Sequence, residues 1–316
     1  MDYKPAFLLR NGHFNTIYPS LFRKQTTPAY HREEILTSDQ DFLHTDTLQN
    51  GHSRLAILCH GLEGSSNSQY MMATASLLSK HNWDVVCMNY RFCSGTINKQ
   101  KRMYHSGATD DLSTVIEHYK KAYEELALVG FSLGGNLVLK YAGENSGQRD
   151  LINQIVAVSV PVDLMAGCIN ICRPSNYIYH INFLKSLTAK VKQKYAQYPK
   201  DIDLGLLKKV KTLYDFDDLF TAPIHGFVDA KDYYTQCSSK QLLKDIDKRT
   251  LIINALDDPF LPEECYPYKE VGNNPNIELL TPAYGGHVGF VLRGQKYFWI
   301  EQRIASFLNK KSEFHN

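Results

Sequence analysis

Residues 126–143, LALVGFSLGGNLVLKYAG, join an apolar run typical of a buried strand to an apolar run with helical spacing. A Gly-Phe-Ser-Leu-Gly turn links the two runs and places Ser132 between Gly130 and Gly134. In such a strand-to-helix turn the serine takes strained backbone angles, and its neighbours must be small to avoid a clash. The turn would present the Ser132 hydroxyl at the amino end of a helix, where the dipole favours developing negative charge. The alternative is an incidental serine turn, since the five-residue pattern by itself is common.

Short apolar runs alternate with helical patterns along the rest of the chain. The runs that predict strands are residues 54–60, 83–90, 126–131, 154–162, 249–256 and 276–282. The patterns that predict helices are residues 69–81, 107–123, 135–143 and 294–311. Continuous apolar strands that alternate with helices indicate an α/β fold, with a mostly parallel central sheet and helices on both faces.

The alternation breaks between residues 161 and 236, where the sequence is helical, rich in lysine and tyrosine, and without a convincing strand. We interpret 161–236 as a helical cap insertion over the carboxyl edge of the sheet; an ordinary crossover with extra helices is the alternative. A length of 316 residues suits one large domain. We therefore expect a single domain over 1–316, with residues 1–30 as an N-terminal extension packed on it.

A serine nucleophile needs a base, and His287 is the best placed of the twelve histidines. It lies in the glycine-rich segment AYGGHVGF, directly after the predicted strand 276–282, so its side chain can reach the same sheet edge as Ser132. His60, at the end of a strand, and His105, in a loop, are competitors that would line the site.

The base needs a carboxylate that holds its tautomer and stabilises its charged form. The predicted strand 249–256 is followed by DDPFLP, which offers Asp257 and Asp258. We favour Asp258, and Asp257 stays open as the alternative. The order Ser132, Asp258, His287 is the order of an α/β-hydrolase.

In the transition state of ester cleavage, negative charge develops on the carbonyl oxygen of the substrate, and two backbone N–H donors usually stabilise it. Leu133, directly after the serine, offers one, and Leu62 in the turn HGLEGSS offers the other. Gly61 and Gly64 would let that turn approach a substrate. The turn also suits helix capping by its serines, and both interpretations can hold together.

Composition excludes several classes of function. A net charge of +2 gives no electrostatic reason to bind nucleic acid. Seven cysteines without CxxC spacing indicate buried, reduced thiols and a cytoplasmic protein. The first residues lack the charged and apolar regions of a signal peptide, so we expect none, and no apolar run approaches the roughly 18 residues of a membrane span. Loose contact with a membrane surface stays open.

No HExxH, GxGxxG or GxxxxGK[ST] pattern occurs, so we expect no metal and no cofactor. No obligate protein partner is evident.

Longer segments give a more specific signal. NGHFNTIYPSLFR, HGLEGSSNSQY, NYRFCSGTINKQKRMYHSGATDDL and FDDLFTAPIHGFVDAKDYY resemble the YheT-type branch of the α/β-hydrolase superfamily. That branch includes bacterial hydrolases, plant relatives, yeast medium-chain ethyl-ester synthase/esterases and animal lipid hydrolases. The resemblance implies a charge-relay triad of Ser132, Asp258 and His287 and hydrolysis of carboxylic esters. Members of that branch usually have the sequence Arg-Gly-Cys-Ser-Gly. This chain has RFCSG instead, with Phe92 in the position of the first glycine.

These observations together predict a serine hydrolase that cleaves short- to medium-chain acyl esters, small-molecule substrates, through an acyl-enzyme. Two alternatives stay open. An acyltransferase would pass the acyl group to an alcohol with the same triad. A non-catalytic ligand-binding protein would keep the fold without turnover.

Overall fold

Eight strands form one mixed sheet in the computed structural model, which describes residues 3–144 and 152–310. The strands are β1 His31–Leu36, β2 Phe42–Leu48, β3 Arg54–Cys59, β4 Asp84–Asn89, β5 Glu125–Phe131, β6 Gln154–Val158, β7 Arg249–Ile253 and β8 Ile277–Leu280. Their order is β1-β2-β4-β3-β5-β6-β7-β8. Strands β3 to β8 pair in parallel, and β2 pairs antiparallel with both β1 and β4. The predicted, mostly parallel sheet is confirmed.

One α-helix precedes β1, further α-helices connect the strands from β3 onward, and the last one follows β8. They are α1 Gly12–Phe22, α2 Gln69–Lys80, α3 Thr109–Tyr119, α4 Leu133–Gly143, α5 Leu164–Ile171, α6 Tyr177–Gln197, α7 Leu213–Phe216, α8 Ala222–His225, α9 Ala230–Cys237, α10 Tyr268–Gly272 and α11 Trp299–Asn309. Asp217–Thr221, between α7 and α8, forms a π-helical turn. The helices predicted from periodicity correspond to α2, α3, α4 and α11, with shorter bounds at several ends. Residue 311 lies outside the described residues.

Strands β1 and β2 have no counterpart in the prediction because their sequences, HREEIL and FLHTDTL, are rich in polar residues. In β2 the side chain of Asp46 is nevertheless buried. Its carboxylate accepts hydrogen bonds from Arg32, Ser66 and Asn89. A buried charge that is paired and fully hydrogen-bonded avoids most of the desolvation cost. The polar residues of this strand are therefore part of the packed structure.

The sheet carries an apolar core on each face. In β3, Leu55 and Ile57 belong to one core, while the intervening Ala56 and Leu58 belong to the other. Side chains of α3 and α4 pack against the first core, and those of α2 and α11 pack against the second. Burial of both faces removes apolar surface from water, which supplies the main driving force for this layered arrangement.

Residues 161–236, all of which the structure describes, contain helices α5 to α8, most of α9, the π-helical turn and two short 3-10 helices, and no strand. Their side chains form a separate apolar cluster that includes Val191, Phe216 and Phe220. Phe92 and Met103, from the loop after β4, belong to the same cluster. The helical content agrees with the predicted insertion, and its role as a cap stays a prediction.

The N-terminal segment makes buried contacts with the C-terminal part of the chain. The Tyr3 hydroxyl donates to the carbonyl of Val291 at 3.0 Å. The Asn15 side chain accepts from the Val291 amide at 3.1 Å. Arg23 pairs with Glu301 through two hydrogen bonds of 2.8 and 3.1 Å, and their side chains are 6% and 0% exposed. This segment therefore docks on the region that precedes and begins α11.

Glu301→Ala should destabilise the fold by about 3–5 kcal/mol, because it leaves the buried guanidinium of Arg23 without its partner. Urea denaturation of the purified protein measures the effect. Asp201→Ala is the control, since the Lys101–Asp201 pair is long at 3.5 Å and both side chains are exposed. That change should cost less than about 1 kcal/mol. Equal losses in the two variants would contradict the docking described here.

Candidate active site

Ser132 occupies the turn between β5 and α4 with φ 53° and ψ −119°, a region that non-glycine residues rarely adopt. The neighbouring glycines leave no room for a side chain. A Cβ on Gly130 would lie 2.2 Å from the carbonyl oxygen of Gly134, and a Cβ on Gly134 would lie 2.3 Å from the carbonyl oxygen of Cys59. The turn is therefore packed directly against β3, and the serine hydroxyl is held at the carboxyl edge of the sheet.

His287 lies within hydrogen-bonding distance of the serine. Its Nε2 is 2.9 Å from the Oγ of Ser132. Its side chain is 10% exposed, and its ring packs against the ring of Phe260 with centroids 4.1 Å apart. The loop that carries it has left-handed backbone angles at Gly286 and Val288. The contact with the Phe260 ring thus holds the imidazole of His287 in an orientation that places Nε2 within hydrogen-bonding distance of the Ser132 hydroxyl.

The two aspartates of the DDPFLP segment lie in different environments. Asp258 is within hydrogen-bonding distance of Nδ1 of His287, with Oδ2 at 2.9 Å and Oδ1 at 3.1 Å, and its side chain is fully buried. Asp257 instead accepts a hydrogen bond from the Gly286 amide at 2.8 Å. Burial raises the pKa of Asp257 to about 6, and the nearby charge of Asp258 adds to the rise. The structure therefore brings Asp258, and not Asp257, to the histidine.

Helix α1 supports the histidine loop, a contact that sequence reasoning missed. The His287 amide donates to the Oγ1 of Thr16 at 2.8 Å. A Cβ on Gly12 would lie 1.8 Å from the carbonyl oxygen of Asp257, and a Cβ on Gly286 would lie 2.5 Å from the carbonyl oxygen of Gly12. In the sequence, the segment NGHFNTIYPSLFR indicates only a family resemblance. Its Gly12 and Thr16 match no functional motif that would predict a contact with His287.

The turn HGLEGSS approaches the serine from β3. A Cβ on Gly61 would lie 3.2 Å from the Cβ of Ser132, and the Gly61 amide donates to the hydroxyl of Tyr70 at 2.9 Å. Leu62 and Leu133 line the same cavity as Ser132. The Leu133 amide is at the first position of α4, where a helix offers no acceptor of its own. Both predicted oxyanion donors therefore lie near Ser132.

Glu63, directly after Leu62, ties this turn to helix α6. Its carboxylate accepts from Lys190 at 2.7 Å and from Ser186, both on α6. It also accepts from the Tyr104 hydroxyl at 2.6 Å, and the Glu63 amide donates to that same hydroxyl at 3.0 Å. The Glu63 side chain is 6% exposed. These bonds hold the turn in place relative to the helices of 161–236.

The two competing histidines do not contact the serine in any hydrogen bond between described residues. His60 is fully buried, with Nδ1 2.7 Å from the carbonyl of Gly61, and its Nε2 accepts from the Tyr90 amide at 3.3 Å. Burial lowers the pKa of His60 to about 3, so this ring is neutral and structural. His105 lines the cavity, as expected, and burial lowers its pKa well below the usual range.

Phe92 has φ +65°, a left-handed conformation that glycine adopts without cost. An L-residue in this region pays roughly 1–2 kcal/mol. The Phe92 side chain is 9% exposed, and the ammonium groups of Lys190 and Lys194 lie 5.5 and 5.9 Å from its ring centroid. The backbone at residue 92 therefore has a conformation that suits glycine, although the residue is phenylalanine. The Phe92 ring packs against α6.

A cavity opens beside Ser132 and His287, with an empty volume of about 880 Å³ that includes its solvent-filled mouth. Most of its lining is apolar and comes from residues such as Leu164, Ile171, Phe183 and Leu213. This is the size and character of a site for a small organic molecule. Within residues 3–144 and 152–310, no group of three or more His, Cys, Asp or Glu side chains is placed to hold a metal ion.

Comparison with known proteins places the chain in a family. The family described as alpha/beta hydrolase fold matches residues 56–293, which is most of the chain. The chain belongs to the α/β-hydrolase family. The match includes the serine turn, both aspartates and the histidine loop.

Individual relatives agree with this assignment. The chain is 37% identical over 321 aligned residues to YheT of Escherichia coli (strain K12), an alignment that covers 97% of this chain and 93% of that protein. This confirms the resemblance to the YheT-type branch. It is also 30% identical over 301 residues to the phospholipase ABHD3 of Mus musculus, covering 92% of this chain and 73% of that protein.

Solved structures share the fold at lower identity. The esterase Pf2001 of Pyrococcus furiosus superimposes with a TM-score of 0.58 at 19% identity, over 90% of this chain and 95% of that one. The predicted α/β-hydrolase fold is confirmed. In the described ranges of the chain, none of the helices combines the length and the apolar character needed to span a membrane.

Gly134→Ala should destabilise the protein by about 1–3 kcal/mol or more, because the added methyl group meets the backbone of β3 and neither segment can move freely. Thermal or urea denaturation measures the loss. Gly272→Ala in α10 is the control: nothing lies within 4 Å of its added Cβ, so it should be neutral or stabilise by up to about 1 kcal/mol. A Gly134→Ala protein as stable as the wild type would show that the turn is loosely packed.

Proposed function

We propose that the chain is a serine hydrolase of carboxylic esters, with Ser132 as nucleophile, His287 as general base and Asp258 as the carboxylate that orients the base. The observation that carries this proposal is the continuous line of short contacts from the Ser132 Oγ through both ring nitrogens of His287 to Asp258. Nucleophile, base and orienting acid at such distances are the geometric signature of covalent acyl transfer.

The reaction follows from these positions. His287 Nε2 takes the proton of Ser132 as the Oγ attacks the ester carbonyl carbon. The Leu62 and Leu133 amides donate to the oxyanion that forms. When the carbonyl reforms, the alcohol leaves with the proton from His287, and the acyl group stays on Ser132. Water then gives a proton to His287 as it attacks the acyl carbon, and His287 returns that proton to the Ser132 Oγ as the bond to the acyl group breaks and the acid leaves.

Asp258 is suited to the orienting role because it is itself held rigidly. Its side chain is fully buried, and its Oδ1 accepts from the Phe260 amide at 2.9 Å. A carboxylate so fixed keeps the proton of neutral His287 on Nδ1 and leaves Nε2 free to accept from the serine. It also stabilises the imidazolium during both transfer steps.

The substrate class rests on the cavity and on the relatives. An apolar cavity that ends at the nucleophile favours a short- or medium-chain acyl ester over a charged substrate. The phospholipase of Mus musculus, named by its activity, is an ester hydrolase and aligns with 92% of this chain. Carboxylic ester hydrolysis is accordingly the activity to assay first.

Ser132→Ala should lower kcat for p-nitrophenyl esters by about 10⁴-fold or more, because no nucleophile of comparable reactivity replaces the hydroxyl. It should also abolish covalent labelling by a fluorophosphonate probe. Ser79→Ala, on α2, is the control and should keep wild-type kcat and labelling. Wild-type protein that is folded but neither hydrolyses these esters nor labels would instead favour a ligand-binding role.

Asp258→Asn should lower kcat by about 10³–10⁴-fold, because the amide no longer fixes the required tautomer of His287. The matched variant Asp257→Asn should stay within about tenfold of the wild type, since its side chain can still accept from the Gly286 amide. Steady-state kinetics on one p-nitrophenyl ester compares the two. A larger loss in Asp257→Asn would reverse the assignment of the acid.

A further inference from the structure

Away from Ser132 and His287, the cavity has a polar region that contains a carboxylate. Among its described lining residues, Asp217 is the one that carries a carboxylate. Thr221 and Tyr234, which contact Asp217, line the cavity as well. All three come from the segment FDDLFTAPIHGFVDAKDYY, and none of them has a part in the proposed chemistry at Ser132.

The backbone around Asp217 is unusual. Residues Asp217–Thr221 form a π-helical turn between the short helices α7 and α8. Such turns are rare, and they occur frequently at functional sites. In this turn the Thr221 Oγ1 donates to Asp217 Oδ1 at 2.6 Å. The Tyr234 hydroxyl, from α9, donates to Asp217 Oδ2 at 2.6 Å. The carboxylate is therefore fixed in one orientation from two sides.

In the part of the chain that the structure describes, the carboxylate of Asp217 is not paired with a cation. No ion pair between residues of the described part of the chain includes it. Burial raises the pKa of Asp217 to about 6, against the hydrogen bonds from Thr221 and Tyr234. A carboxylate has about four acceptor sites, and two hydroxyl donors occupy only half of them. Asp217 can therefore accept further hydrogen bonds, and its side chain lines the cavity.

A purely structural link between the π-helical turn and α9 would not need a charge. An uncharged side chain could join Thr221 and Tyr234 without the free-energy cost of placing an unpaired carboxylate in an apolar cavity. A bound group that donates a hydrogen bond would offset that cost. A hydroxyl suits this position better than an ammonium group, which loses far more hydration on entering an apolar cavity. An anionic group would be repelled.

We propose that Asp217 is a specificity-determining residue that accepts a hydrogen bond from a hydroxyl group of the substrate, remote from the ester that Ser132 attacks. This inference rests on the proposed function and adds the substrate class: esters that carry a hydroxyl on the part of the molecule that fills the cavity. Substrates of equal length without the hydroxyl leave the carboxylate unpaired, and such sites discriminate against them. The hydroxyl can belong to the acyl chain or to the alcohol.

Two substrate series distinguish these sources. One compares p-nitrophenyl ω-hydroxyalkanoates with the unsubstituted alkanoates of the same chain length. The other compares monoesters of linear diols with the alkyl esters of the same length. In one of the two series, we expect the wild type to show a kcat/KM about tenfold higher for the hydroxylated ester at the best chain length. The series that shows the preference identifies the hydroxyl-bearing part.

Asp217→Leu should reduce that preference to about one, because leucine offers no acceptor to the substrate hydroxyl. Asp217→Asn keeps the shape of the side chain and should lower the preference at least threefold, so it decides the question if the leucine variant does not fold. Asp218→Asn is the matched control, because Asp218 accepts from the Ala230 amide and is not among the cavity-lining residues. It should keep the full preference.

No preference in either series, or a preference that survives unchanged in folded Asp217→Leu or Asp217→Asn protein, would overturn the inference and leave the proposed function intact. Wild-type protein that hydrolyses no ester of either series in a Ser132-dependent way would overturn the proposed function, and this inference with it. A merely structural role for Asp217 would change the melting temperature and both members of a series equally, and would not change their ratio.

Discussion

Close backbone contact between the serine turn and β3 is the constraint on which the site depends. Gly130 and Gly134 allow three backbone segments to meet at distances that any side chain would prevent. This contact holds Ser132 in a backbone conformation that it would not adopt alone, so the surrounding packing must offset the strain. The strain is confined to one residue, and the rest of β5 and α4 is regular.

The positions of Asp258 and His287 near the serine depend on the order of the strands rather than on close backbone contact. Asp258 and His287 follow β7 and β8, whose carboxyl ends lie at the same edge of the sheet as that of β5. Parallel strands place their following loops together, which is why functional groups gather at this edge. Contacts from outside the sheet then fix the loops: Thr16 holds the histidine backbone, and Glu63 links the Leu62 turn to α6.

Much of this arrangement could be predicted from sequence. The apolar runs of β3 to β7 are nearly continuous because both sheet faces are covered. The glycines around Ser132 indicate a tight turn because a strand pattern precedes them and a helix pattern follows. Strands β1 and β2 were missed because residues such as Asp46 are buried through tertiary hydrogen bonds, which no local pattern shows. The choice between Asp257 and Asp258 depends on a side-chain direction, and adjacent aspartates look alike in sequence. Thr16 is 271 residues from the histidine it supports, so no spacing rule could have linked them.

That last distance has a consequence for how the protein comes to be made. The histidine follows Thr16 by 271 residues, so the ribosome must synthesise all of that sequence before α1 and the histidine loop can meet. Closing so long a connection is slow compared with forming local structure. In the proposed mechanism, a nascent chain therefore carries Ser132 through the synthesis of the next 155 residues without its base, and acyl transfer waits until the histidine loop has packed against α1.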